Sequence, residues 1–132
     1  MDVNKVTLLG NLTKDPGKKE LSSGQSISFF DLATNYSWKD VKTKKKKESV
    51  EYHHVLAWGK LAEIIKKYLK KGSRIYLEGR LQHQSWKDKK GNFQNKTNVV
   101  ADNLIMLGHN GKKSAELAKE DIDVDEIKVD ED

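Results

Sequence analysis

There is no cysteine in this sequence, which removes disulfides, thiolate metal sites and a cysteine nucleophile from consideration. Long apolar runs are missing too. No stretch approaches the roughly 20 apolar residues that cross a bilayer. The opening MDVNKVTLLGNL has no apolar run behind a basic one, so no secretory signal is expected. These absences predict a soluble, intracellular protein. Hydrophobic residues reach only 36%, against 34% charged, so the core of this 132-residue chain must be thin. The length has room for one domain. An open β-barrel or an oligomer suits such a chain better than a thick sandwich.

The familiar catalytic signatures are absent as well. No GxxxxGK, GxSxG or HExxH occurs. His53 and His54 are adjacent, so on a strand they point to opposite faces and cannot share a metal. His83 and His109 stand alone, and the acids of the body are scattered. An enzyme is not expected, nor a metal, a cofactor or a small-molecule substrate.

What is present is charge, unevenly spread. Residues 109 to 132 carry four Lys and nine Asp or Glu, a net of −5. The first 108 residues hold 21 basic and 11 acidic groups, a net of +10. A basic body points to a polyanion partner. An acidic tail can compete with that partner for the same surface, or simply keep the chain soluble.

Val3 to Leu12 is β-branched and apolar-rich and reads as a strand, with Gly10 marking a bend or a close backbone approach. Thr13 to Ser26 holds Pro16, the single proline, with Gly17 and Gly24, and reads as a loop or short hairpin. Ile27 to Asn35 is a second strand. Lys39 to Lys47, with six lysines, reads as an exposed loop. Val50 to Trp58 is a third strand. Between Lys60 and Lys71 the period changes: Leu61, Ile64, Ile65, Tyr68 and Leu69 fall at helical spacing, and Gly72 supplies the stop. Arg74 to Trp86 returns to period two, Asp88 to Asn92 is a turn, and Gln94 to Leu107 is the last strand, with an irregular start. Gly108 to Gly111 breaks regular structure. Beyond it no aromatic occurs, so a flexible acidic tail over 109–132 is expected, with room for a short helix from Ser114 to Glu120.

Three strands, a helix and two strands predict an all-β OB-fold: a five-stranded Greek-key barrel with one helix between strands 3 and 4. The domain occupies residues 1–108. In the third strand Val55 and Ala57 suit the barrel interior. Val50, Tyr52, His54, Leu56 and Trp58 then share the outward face. A free apolar face of that size binds something. It stacks on unpaired bases, or it packs on a loop or a subunit. In the fourth strand Ile75, Leu77, Gly79 and Leu81 face inward. Arg74, Tyr76, Glu78, Arg80 and Gln82 face outward, Tyr76 serving a subunit or a nucleic acid. Trp38 and Trp86 each precede a lysine, in SWKD and SWKDKKGN. Rings that take bases, beside ammonium groups that take phosphates, make a single-strand groove. The alternative is that each Trp covers a strand end.

These segments resemble the bacterial single-stranded DNA-binding protein family (SSB). NKVTLLGNL at 4 to 12, DP at 15 to 16, FDLAT at 30 to 34, SWKD at 37 to 40, VEYHHVLAWGKLAE at 50 to 63, KGSRIYLEGRL at 71 to 81 and SWKDKKGN at 85 to 92 follow in the family's order. The resemblance covers about residues 3 to 108 and implies an OB-fold homotetramer that wraps single-stranded DNA. The family's stacking aromatics fall on Trp38, Tyr52, Trp58 and Trp86, and its subunit-interface histidine on His53, to which Tyr76 is added. Phosphate contacts are expected from Lys5, Lys39, Lys42, Lys47, His54, Lys60, Lys71, Arg74, Arg80, Lys87, Lys89 and Lys90.

Two features depart from the family. Gln82, His83, Gln84 and Ser85 occupy a segment that is often basic. The C-terminus reads Val129, Asp130, Glu131, Asp132, without the family's Pro-Phe tip. Ile122, Val124, Ile127 and Val129, set among acids, can substitute in docking replication and repair proteins. The expected function is sequence-tolerant protection of single-stranded DNA in the cytoplasm, at the nucleoid, during replication, recombination and repair. The rivals are a primosomal-type OB-fold adaptor, an RNA-binding OB-fold and a small nuclease.

Overall fold

The computed structural model describes residues 1 to 108; the acidic tail and the short helix expected within it lie outside the described residues. Seven elements follow in order: β1 (Val6–Leu12), β2 (Gly17–Glu20), β3 (Ser26–Lys39), β4 (Lys46–Trp58), α1 (Gly59–Tyr68), β5 (Arg74–Lys87) and β6 (Phe93–Met106). Neighbouring strands run β1-β5-β6-β4-β3, and β1 meets β3 to close the ring. All these pairings are antiparallel except β4 with β6. The result is the five-stranded Greek-key OB barrel. The extra strand, β2, pairs only with β3 and falls in the segment expected to be a loop or short hairpin.

Closure depends on Gly10. β1 pairs with β5 from Val6 to Asn11 and hands over to β3 at Asn11 and Leu12. A side chain at residue 10 would collide with the Ala33 carbonyl, so only glycine allows the strands to meet there. Gly79 does the same opposite β6, where a Cβ would strike the Val100 carbonyl. Here the ladder slips: Glu78 faces Asn103 but Gly79 faces Ala101, leaving Asp102 as the extra residue of a β-bulge. The irregularity expected at the start of the last strand therefore lies in its middle.

The interior holds Leu12, Phe30, Leu32, Val55, Ala57, Ile75, Leu77, Val99, Ala101 and Leu104. Helix α1 adds Leu61 and Ile65, and Leu69 follows just past its end. It ends at Tyr68, earlier than expected: the Leu69 N–H closes the last turn on the Ile65 carbonyl, and Gly72 (φ 90°) belongs to the turn that follows. Tyr68 is not core; it is exposed, with the Lys67 ammonium 5.3 Å from its ring centroid. Among the described residues no helix is long and apolar enough to cross a membrane.

Two other expectations need correction. Leu81 shares the inward side of β5 with Leu77 yet is 41% exposed, because β5 has already left the barrel there. Its N–H and carbonyl are held instead by the Asn4 side chain, both bonds at 2.9 Å. Leu56 faces outward but is 9% exposed, since it is paired with Phe29 on one side and Val100 on the other. The exposed lysine loop stands at residues 40–45, with only its ends, Lys39, Lys46 and Lys47, drawn into the strands, where β3 and β4 pair without a slip from Ile27↔Trp58 to Lys39↔Lys46.

Candidate nucleic-acid interface

Two hairpin arms leave the barrel. On β3–β4, residues 35 to 39 and 41 to 52 are all exposed; on β5–β6, so are 83 to 87 and 89 to 97. An aspartate shapes each tip. The Asp40 carboxyl lies below the ordinary carboxylate range, chiefly because the Lys42 N–H donates to it, with the Lys47 ammonium second at 3.2 Å. The Asn92 N–H does most to lower Asp88, aided by Gln94 and the Lys90 N–H. In both SWKD motifs the aspartate is thus the turn's cap, a role hidden from the aromatic–lysine reading.

The outward row of β4 is set by strand alternation. Val55 and Ala57 are fully buried, and Tyr52, His54 and Trp58 stand on the other side. Tyr52 is 68% exposed and Trp58 37%. His54 donates from Nδ1 to the Asp31 carboxylate at 2.9 Å, so this expected phosphate contact is already paired. His53 turns the opposite way and hydrogen-bonds through Nε2 with the Thr34 hydroxyl at 2.9 Å. Tyr76 stands between Leu9 and Ile105 across β1, β5 and β6.

The unbroken register separates Trp38 from Tyr52. Tyr52 faces Ala33, whereas Trp38 lies on the other side of the ribbon, paired with Lys47 and stacked on Tyr36 with ring centroids 5.7 Å apart. The second arm repeats this. Trp86 pairs with Gln94 on the side of β5 that carries Arg80, while Phe93 sits on the reverse beside Lys87, whose ammonium is 5.0 Å from its ring centroid. Leu56, Val100 and Arg80 are successive neighbours across β4, β6 and β5. They join the Trp58 face to the second arm. A cleft of about 370 Å³ opens there, lined by Trp58, Lys60, Leu61, Arg80, Val100, Ala101 and Asp102.

The expected phosphate contacts do not form one group. Lys39, Lys42 and Lys47 cluster at one tip and Lys87, Lys89 and Lys90 at the other, and Lys60 and Arg80 flank Trp58. Lys5 is engaged by Glu78 at 3.0 Å, which raises its pKa through the hydrogen bond and the opposite charge. Arg74 donates to the Asn11 side chain at 2.9 Å, and the Lys71 N–H donates to Asp15. These three sit away from both arms. Sequence reasoning missed Phe29, Tyr36 and Phe93, which are exposed rings. Phe29 was findable: its alternation with core Phe30 turns it outward, where its ring centroid is 6.5 Å from that of His54. Asp102 was missed as well; its one signal is the switch of inward apolar positions in β6 from Val99 and Ala101 to Leu104 and Met106.

An OB barrel with exposed rings set among lysines on its arms defines a class, the single-strand nucleic-acid-binding modules. Within that class the chain belongs to the single-strand binding protein family, whose model matches residues 3–107. It is 47% identical over 107 residues to single-stranded DNA-binding protein 1 of Chlorobaculum tepidum, a match covering 80% of this chain and 65% of that protein. The chain therefore spans just under two thirds of that relative's length. The Plasmodium falciparum SSB, solved in complex with ssDNA, superposes with a TM-score of 0.76 at 29% identity, covering 81% of this chain and 97% of that one. A deletion mutant of the Thermus aquaticus single-stranded DNA-binding protein gives 0.71 at 29% identity, over 83% of this chain and 52% of that one.

Proposed function

We propose that the chain is a non-enzymatic protein that coats single-stranded DNA without overall sequence preference. The observation that carries this reading is the outward row of β4. Tyr52 and Trp58 offer their rings to solvent there, with Arg80 and Lys60 beside Trp58. Rings stack on any base, and ammonium and guanidinium groups take the phosphates. Trp38 and Trp86 extend the surface along the arms. Residues 1–108 form the binding domain, and 109–132 an acidic tail that docks replication and repair proteins. The work is done in the cytoplasm.

Titration with oligo-dT, followed by tryptophan fluorescence, tests the reading. Lysines displace condensed cations, so affinity falls with salt, with a log–log slope of about −0.7 per phosphate neutralised. Stacking releases no ions, so substantial affinity should survive at about 0.2 M NaCl. Complete loss of binding there would remove stacking from the account.

The assembly proposed is a homotetramer. Leu9 and Ile105 are exposed on either side of half-buried Tyr76 on the barrel wall. Such a row needs cover that one copy lacks. Native mass spectrometry at micromolar concentration should give about four times the 15.1 kDa of one chain. A mass of one chain would overturn it.

A further inference from the structure

We propose that Asp102 reads the edge of the base stacked on Trp58, favouring bases that carry an amino donor over thymine. The proposal rests on the reading of Trp58 as a stacking platform. It starts from the bulge. Asp102 has no partner in the β5–β6 ladder, since Asn103 faces Glu78 and Ala101 faces Gly79. A bulge re-aims the side chain of its extra residue. Here Gly79 lets the strands approach closely at the same point. The exposed Asp102 side chain lines the cleft that Trp58 and Arg80 also line.

Within the barrel domain neither charged group is held by another side chain. Among the described residues Asp102 and Arg80 form no ion pair with each other or with any third side chain. Arg80 is free to meet a phosphate. Asp102 cannot, because a carboxylate repels one. Yet a carboxylate is an acceptor-only group, and within the cleft its partner must be a donor. Cytosine and adenine present an exocyclic amino group on the Watson–Crick edge. Thymine presents two carbonyl oxygens around a single N–H, so its edge is mostly repelled. Asp or Glu accepting from the cytosine amino group is an established base contact. One biased position within a long sequence-tolerant track is compatible with coating DNA of any sequence.

The experiment compares oligo-dC with oligo-dT of equal length at equal salt, for the wild type, D102N and D102A. Loss of the carboxylate removes a negative charge, so both variants should bind both oligomers more tightly. The tightening should be smaller on dC. The ratio of dT to dC dissociation constants should fall about fivefold, the low end of what one base-edge contact discriminates. D102E, which restores the acceptor, should recover part of the ratio. Melting temperatures on the same samples establish that the barrel persists. Equal tightening on dT and dC, with the ratio unchanged, would reduce Asp102 to a repulsive charge and overturn the proposal. A wild-type chain that binds neither oligomer would overturn the reading of the Trp58 face, and this proposal with it.

Discussion

Trp58→Ala should weaken oligo-dT binding by about 1–3 kcal/mol, roughly 5- to 150-fold in affinity, while the barrel stays folded. The ring forms one wall of the cleft beside Arg80 and is 37% exposed. Its backbone caps α1 without any side-chain hydrogen bond, so alanine removes no cap. No charge is lost, so the salt slope should hardly change. The contrasting expectation is distinct. A core tryptophan would cost ~3–5 kcal/mol of stability on truncation, and weakened binding would only follow unfolding. Thermal melting and a titration on one sample separate the two. A steep fall in melting temperature, with near-normal affinity in the folded fraction, would refute the stacking role.

Leu77→Ala should do the reverse. Leu77 is fully buried, between Leu8 of β1 and Leu104 of β6 in the ladder. Truncation removes apolar contact and leaves a cavity, at about 2–5 kcal/mol. For a domain of this size that lowers the melting temperature by on the order of 10 °C or more. The comparison must hold protomer concentration fixed, since an oligomer's stability depends on it. Molecules still folded should bind oligo-dT as the wild type does, because Leu77 points away from the outer face. A melting temperature within about 2 °C of wild type would mean that the barrel interior has been misassigned. Together the two variants separate the surface that binds from the interior that holds it.

The elements that alternated or repeated cleanly were legible from residues alone. Val55 and Ala57 pointed inward as the third strand's alternation required, and Leu61, Ile64 and Ile65 marked the buried face of the helix. Segments without an apolar signal were not legible. β2 reads Gly-Lys-Lys-Glu and owes its existence to β3 alongside it. The lysines at 46 and 47 pair with Lys39 and Trp38 because an unslipped hairpin register carries them along, whatever their own propensity. Leu81 and Leu56 show the limit of period two. It sorts residues into sides but does not tell where a strand leaves the barrel or what covers its outer side. The bulge did leave a trace. Inward apolar positions in β6 switch from Val99 and Ala101 to Leu104 and Met106, from odd to even, and one skipped residue accounts for it. The four aromatics assigned to stacking could be placed on strands or strand ends, but not on a common surface, because that depends on how far each hairpin keeps its register.

The separation of Trp38 from Tyr52 by the thickness of a ribbon sets a length scale. A β-ribbon with side chains on both sides is about 10 Å through. A DNA strand that touches both rings must pass around the edge or the tip of the arm. An oligonucleotide too short to make that detour can use one side only. Reach, as much as ring count, then decides how many of the aromatics a given piece of DNA can occupy. The lysines at the Asp40 turn stand where such a strand would bend, and there the phosphates of a folded-back strand crowd most and need neutralising.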